Sequence, residues 1–272
     1  LSICSNEWNF MSVLRNAAAV LRLFTAERPD IGVMEVAEVT GLPKSTTSRL
    51  MRMMAEEGLL EAAGLTRRYR PGTLVVAAAR LFRSGSELVA AMEALVTRVV
   101  SECGHTGFVS VRDGSDIFAI KTIPGTQVLR VVTPIGQRYP ASATAVGRAL
   151  LARLSEDEIR TLIDTLPQPS PSAPATFEEL FTRITRVHTE GVAEANDEAN
   201  RGVGSIAIAI ADHGAGEAVA GCISFSLSAV TEAERRLIRR CLFDGAVALG
   251  ERFADPFWLG RPDIDDAMPN AA

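Results

Sequence analysis

Val33-Met34-Glu35-Val36-Ala37-Glu38-Val39-Thr40-Gly41-Leu42-Pro43-Lys44-Ser45-Thr46-Thr47-Ser48-Arg49-Leu50 reads as two short helices and the turn between them. Helices that cross steeply need a small residue where they touch, and Ala37 supplies it. The tight turn wants a residue that tolerates positive φ, and Gly41 stands four positions later. Pro43 suits the first position of the next helix, which the pattern carries to residue 57 and ends at Gly58. On that helix Leu42, Thr47, Leu50 and Met54 face inward. Lys44, Ser45, Ser48, Arg49 and Arg52 form the opposite face, with Thr46 near its front.

That polar face has the chemistry DNA requires. Helix N-terminal amides and hydroxyls bind phosphate oxygens, and Arg takes guanine in a bidentate pair. An ordinary amphipathic helix with a solvated face reads the same way up to this point. The segment that follows separates the two. Residues 59–61 and 67–70 read as short strands around a turn at Gly64. The second carries Arg67-Arg68-Tyr69-Arg70. A guanidinium cluster directly after a helix-turn-helix predicts a wing in contact with phosphate, with Arg67, Arg68 and Tyr69 on the DNA.

Further from this motif, residues 13–24 place apolar side chains at helical spacing. Residues 74–83 are Ala-rich and helical. Ser86 is placed to cap a helix that reaches Cys103. Beyond His105 the pattern turns β-rich. Strands are predicted at 108–111 and 117–123, joined through Asp113-Gly114, at 128–133, and as a pair at 205–211 and 219–227. Helices are predicted at 143–154, at 155–166 behind a Ser155/Glu158 capping box, at 176–189 and at 231–253. Residues 167–174 read as a Pro/Ser loop. The tail from Asp255, with Pro256, Pro262 and Pro269, reads as loosely ordered. The fold class is α+β: a winged helix-turn-helix domain at 11–73, a linker helix at 74–85, a second domain at 86–254 with helices flanking a largely antiparallel sheet, and a tail at 255–272.

Charge supports this division. The chain of 272 residues carries a net −5, which alone argues against nucleic acid. Residues 11–84, however, hold 11 Lys and Arg against 7 Asp and Glu, while residues 85–272 hold 17 against 25. A basic front on an acidic body fits a DNA-reading module joined to another domain. No apolar run approaches the ~18 residues of a membrane span, and residues 1–10 lack the basic start of a secretory signal. The expected compartment is the cytoplasm, with no membrane partner. Cys4, Cys103, Cys222 and Cys241 are scattered, so no metal site, disulfide or cofactor is expected. Only His105, His188 and His213 could serve as a base, and no G-x-S-x-G is present, which disfavours a hydrolase. Gly214-Ala215-Gly216 falls in a hairpin turn and no P-loop appears, which disfavours a nucleotide-binding enzyme. A non-enzymatic regulator remains, beside an adaptor whose winged helix binds protein.

Three stretches resemble the IclR family of bacterial regulators across residues 13–253. The first is Gly41 to Leu50, followed by Glu57-Gly58-Leu59 and Tyr69-Arg70-Pro71-Gly72. The second is Gly136-Gln137-Arg138-Tyr139-Pro140-Ala141-Ser142-Ala143-Thr144-Ala145-Val146-Gly147-Arg148-Ala149-Leu150-Leu151-Ala152, which is similar to the family's P-L-H-A-T-A-x-G-K-A-x-L-A run. The third is Glu190-Gly191-Val192-Ala193 through Glu198, Gly202 and Ser205-Ile206-Ala207 to Ile223-Ser224-Phe225-Ser226. The resemblance implies a winged-helix domain, a linker helix used in dimer contacts and a GAF-like effector-binding domain. It further implies operator DNA as partner, a homodimer or tetramer, repressor or activator action, and a small organic acid as effector. Carried over by position, the effector residues are Ser142, Thr144, Ala145 and Val146, the loop at Asn196, Asp197 and Glu198, and Ser205, Ser224 and Ser226. Hydroxyls and helix N-terminal amides can hold a carboxylate without a full counter-charge. Strand hydroxyls such as Ser224 and Ser226 also commonly bond neighbouring backbone. The sequence departs from the family where Ser142 replaces a frequent His, Arg148 a frequent Lys and Asn196 a frequent Asp. A vestigial pocket in a pure dimerisation module is the alternative for the second domain.

Overall fold

The computed structural model describes residues 4–25, 27–64, 67–83 and 85–261, and of residues 4–12 the backbone alone. The chain divides into two compact units, Leu1–Gly85 and Ser86–Ala272.

The first unit runs α1 (Cys4–Leu21), β1 (Ile31–Gly32), α2 (Val33–Thr40), α3 (Lys44–Glu56), β2 (Leu60–Ala62), β3 (Arg68–Pro71) and α4 (Thr73–Leu81). Gly41 ends α2 at φ 69, and its N–H donates to Ala37 O at 3.0 Å. A Cβ at Gly41 would touch nothing, so the backbone angle and not space demands glycine there. The three strands form an antiparallel sheet in the order β1-β3-β2, with Ile31 opposite Tyr69 and Glu61 opposite Arg70. Val20, Ile31, Val36, Leu50, Met51, Met54 and Leu60 fill the core. Strand β1 was absent from the sequence reading because two residues are too few to show a period. Helix α4 has no buried residue.

The second unit opens with α5 (Glu87–Cys103), capped as expected by Ser86, which accepts from Val89 N–H at 3.2 Å. It continues with β4 (Thr106–Asp113), β5 (Asp116–Ile123), β6 (Arg138–Pro140), a 3-10 turn (Ala141–Ala143), α6 (Ala145–Leu151), α7 (Glu156–Leu162), α8 (Phe177–Glu190), β7 (Ala193–Asn196), β8 (Val203–Asp212), β9 (Glu217–Ser226) and α9 (Glu232–Arg252). One six-stranded antiparallel sheet has the order β6-β5-β4-β9-β8-β7. Strand alternation sorts side chains by size. Ile206, Ile208 and Ile210 of β8, with Val219, Ile223 and Phe225 of β9, pack on α5 and α9. The intervening Ala207, Ala209, Ala220 and Cys222 face α6, α7 and α8. The result is a helix-flanked α+β sheet of GAF-like type.

Two expectations need correction. Residues 128–133 form no strand. Strand β6 pairs with Asp116, Ile117 and Phe118 of β5, while residues 128–133 are irregular, with Val128 96% and Val132 83% exposed. The start of the tail is also ordered. Asp255 is buried and accepts from Arg153 at 3.0 and 2.7 Å and from Ala211 N–H at 2.8 Å. Trp258 is buried and donates its indole N–H to Ala209 O at 2.8 Å. The rest of the predicted tail, residues 262–272, lies outside the described residues.

Candidate DNA-reading face and ligand cavity

Thr47, Leu50, Met51 and Met54 turn α3 into its core. The same helical period leaves Lys44, Ser45, Thr46, Arg49 and Arg52 exposed and Ser48 half-buried. The start of α3, like that of α4, has no side-chain cap and no acidic residue in its first turn. Its N-cap is Pro43. Helices α5, α7, α8 and α9 are capped by the side chains of Ser86, Ser155, Thr176 and Thr231. The first N–H groups of α3 therefore keep their donor capacity, with the positive end of the helix dipole unneutralised and Lys44 beside it. That arrangement suits an external anion such as a phosphate.

The wing differs from the sequence reading. Arg68 is engaged within the unit: its Nη atoms donate to Glu35 at 3.0 and 2.9 Å, Nη2 reaches Asp30 O at 2.9 Å, and Nε pairs with the Asp30 carboxylate. The hydrogen bond from Arg68 and a second from Gly32 N–H hold the Glu35 carboxyl below its ordinary pKa. Arg68 thus ties β3 to the start of α2. Arg70 is paired with Glu61 at 2.6 Å. Tyr69 is half-buried against the unit's own core. Of the three wing residues assigned to DNA, Arg67 is the exposed one.

In the second unit the small-residue face of the sheet leaves a cavity of about 80 Å³. Phe108, Ser110, Ile117 and Ala119 of β4 and β5 form one wall, and Ser205, Cys222 and Ser224 of β8 and β9 the next. Thr144 and Val146 close it from the α6 turn, and Val131, Thr133, Tyr139, Ala199, Asn200 and Val203 from the loops and strand ends. Cross-strand register explains this grouping, because directly paired residues share a face. Ser205 is opposite Ser224, and Cys222 is opposite both Ala207 and Phe108. The turn is tight: a Cβ on Gly147 would stand 2.0 Å from Ala141 O. Thr144 accepts from Gly147 N–H at 2.9 Å, which leaves its hydroxyl proton free to donate. Among the described residues no Lys, Arg, Asp, Glu or His lines the cavity. Burial pushes the Cys222 thiol up to about 12, so it is a neutral wall group and not a nucleophile.

Thr144, Val146, Ser205 and Ser224, four of the residues that the resemblance assigned to the effector, line this cavity. Six other residues assigned to the effector do not line it. Ser142 is buried with its carbonyl held by Arg148 at 3.0 Å, and Ala145 is buried in the core. Asn196 accepts from Arg235 at 2.9 Å. Asp197 sits at φ 57 and accepts from Gly202 N–H. Ser226 bonds the Ser228 hydroxyl at 3.0 Å. Glu198 pairs with Arg148 at 2.6 and 2.9 Å. Phe108, Ser110 and Cys222 were missed, although the period of two that places Ser224 places Cys222 beside it. Among the described residues no cluster of His, Cys, Asp or Glu could hold a metal ion, and no helix is long and apolar enough to cross a membrane.

A winged helix-turn-helix with an exposed basic reading helix, in one chain with a sheet domain that encloses a small cavity, defines a DNA-binding regulator with an effector domain. The chain belongs to the IclR family of bacterial transcriptional regulators: residues 13–64 match the IclR helix-turn-helix domain and residues 82–249 the IclR C-terminal domain. It is similar to the transcriptional regulator XynR of Escherichia coli, with 24% identity over 89% of this chain and 97% of the relative. With the regulator Rv1719 of Mycobacterium tuberculosis the identity is 30% over 71% and 74%. An IclR homologue from Microbacterium hydrocarbonoxydans, solved in complex with 4-hydroxybenzoate, shares the fold at a TM-score of 0.68 and 20% identity, over 88% of this chain and 99% of that one. These relatives are regulators and not enzymes.

Proposed function

We propose that this regulator reads operator DNA through Lys44, Ser45, Thr46, Ser48, Arg49 and Arg52 of α3 with Arg67 of the wing, and that a small organic acid in the cavity controls it. The cavity carries this reading. Hydroxyls of Ser110, Thr133, Thr144, Ser205 and Ser224 stand beside an apolar wall of Phe108, Ile117, Ala119 and Val146. Hydroxyl donors suit a carboxylate, and the apolar wall suits its body. The homologue bound to 4-hydroxybenzoate supports the same ligand class. Small volume favours a compact acid over a nucleotide or sugar chain.

The regulator acts as a homodimer or tetramer in the cytoplasm. Helix α4, with Leu74, Val76 and Leu81 exposed, is the linker that contributes to contacts between copies. The acid shifts the balance between two quaternary arrangements because it binds one better than the other, which changes the spacing of the paired recognition helices on a two-fold operator.

A gel shift on the DNA upstream of the chain's own gene tests this, repeated across salt and with benzoate, 4-hydroxybenzoate, pyruvate and glyoxylate. Specific, salt-sensitive retardation altered by one acid is the expected result. Specific retardation that none of them alters counts against the small-acid effector. No specific retardation at any salt counts against this operator.

A further inference from the structure

One guanidinium joins three separate segments of the second unit. Arg148 is 1% exposed. Its Nη1 donates to Ser142 O at 3.0 Å and to Glu198 Oε2 at 2.6 Å. Nη2 donates to Glu198 Oε1 at 2.9 Å and to Glu194 O. Arg183 of α8 meets the same carboxylate at 2.7 Å. Neither Arg148 nor Glu198 lines the cavity, yet the segments they join do. The turn that carries Ser142 continues into Thr144 and Val146, and Ala199 and Asn200 directly follow Glu198.

A buried ion pair is a weak source of stability, because desolvation offsets most of its attraction. Its strength is geometric. A planar fork that holds two carboxylate oxygens and two carbonyls at once fixes their relative positions. Besides this pair, the loop at 197–202 is tied at its ends: Asp197 N–H reaches Val203 O at 3.0 Å, Ser170 donates to Asp197 O, Gly202 N–H donates to the Asp197 carboxylate, Leu227 N–H reaches Gly202 O at 2.9 Å, and Val203 N–H reaches Asn200 O at 3.3 Å.

We propose that Arg148 and Glu198 are positioning residues for ligand binding: their ion pair holds the Ala199–Asn200 wall of the cavity at a set distance from the α6 turn, so ligand affinity depends on a pair the ligand does not touch. This rests on the cavity being the effector site.

Hydrogen exchange on the full ligand-free chain reads the positioning directly. Glu198→Gln breaks the pair and leaves a buried cation. The double variant Arg148→Met with Glu198→Met removes both charges and keeps apolar volume, which restores stability lost in the single variant. Amides 199–203 exchange about tenfold faster in the double variant than in the wild type while those of α5 and α9 do not change. If the double variant recovers both Tm and wild-type exchange, the pair is a structural filler and the proposal fails. It fails equally if exchange in Glu198→Gln matches the wild type. Should Glu198→Gln not fold, the double variant decides alone. Calorimetry with 4-hydroxybenzoate adds the ligand side: affinity falls about tenfold in the folded double variant, and equal affinity overturns the coupling. A wild type that does not take up this acid counts against the effector assignment, while exchange still decides the pair.

Discussion

His105 is 1% exposed, and neither of its ring nitrogens has a hydrogen-bond partner among the described residues. Glu234 Oε1 stands 3.9 Å from Nε2, too far to bond. Burial lowers the His105 pKa, and burial together with Arg261 and Arg153 lowers that of His188. The unfolded chain gains protons on both near pH ~6.5, while the folded chain resists them. Their stabilising effect is therefore full above that pH and is lost as pH falls toward the folded values. Tm should decline as pH falls below about 6.5, and His105→Phe should flatten part of that decline. An unchanged slope would remove His105 as its cause. The Thr106 hydroxyl is likewise buried without a partner, so Thr106→Val should raise stability by about 1 kcal/mol. The two neighbouring wing arginines should separate cleanly. Arg67→Ala keeps Tm and weakens all DNA sequences alike, with the logarithmic salt slope reduced by about one. Arg68→Ala lowers Tm, because Asp30 and Glu35 lose their partner. Melting curves alongside salt-dependent DNA titrations read both.

At the scale of elements, the segment after α9 shows what a linear pattern conceals. Phe257 lies under Arg153 at 4.0 Å and Arg261 at 4.1 Å, and Trp258 meets Phe243 edge-on at 5.6 Å. Trp258→Ala should cost about 3–5 kcal/mol, as large buried aromatics do, measured by chemical denaturation. A loss under 1 kcal/mol would mean the segment is only loosely docked. Its prolines suggested disorder, but its partners Ala209, Ala211 and Arg153 stand more than forty residues away in sequence. Capping was legible because it is local. Ser155 with Glu158 and Thr231 with Glu234 form their boxes as expected. Residues 128–133 have a strand's composition, but a strand also needs a partner, and the outer side of β5 pairs instead with β6, at Asp116, Ile117 and Phe118. No local pattern records that competition.

For the whole molecule, the division into a basic reading unit and an acidic cavity-bearing one was legible from charge and motif order. Most of the cavity was not: of the fifteen residues that line it, Thr144, Val146, Ser205 and Ser224 were expected. Ser205 and Ser224 followed from family position, whereas Phe108 and Ser110 enter through pairing of β4 with β9, which one sequence does not reveal. With DNA absent, Arg49→Ala should leave effector affinity unchanged while abolishing specific DNA retention. Ser224→Ala should weaken the effector and leave effector-free DNA binding intact. Calorimetry and gel shift together check both, and crossed effects would contradict the assignment of the two tasks to separate units. The sorting of Ile206, Ile208 and Ile210 from Ala207, Ala209 and Cys222 has a consequence for descent. The core that packs on α5 and α9 and the wall of the cavity lie on opposite sides of the same strands. An exchange of Ala119 for Val, or of Cys222 for Ala, recuts the chamber by two carbons or a sulfur while the isoleucine side stays as it was. Such a protein can change its chemical vocabulary by small steps without rebuilding the scaffold that pronounces it.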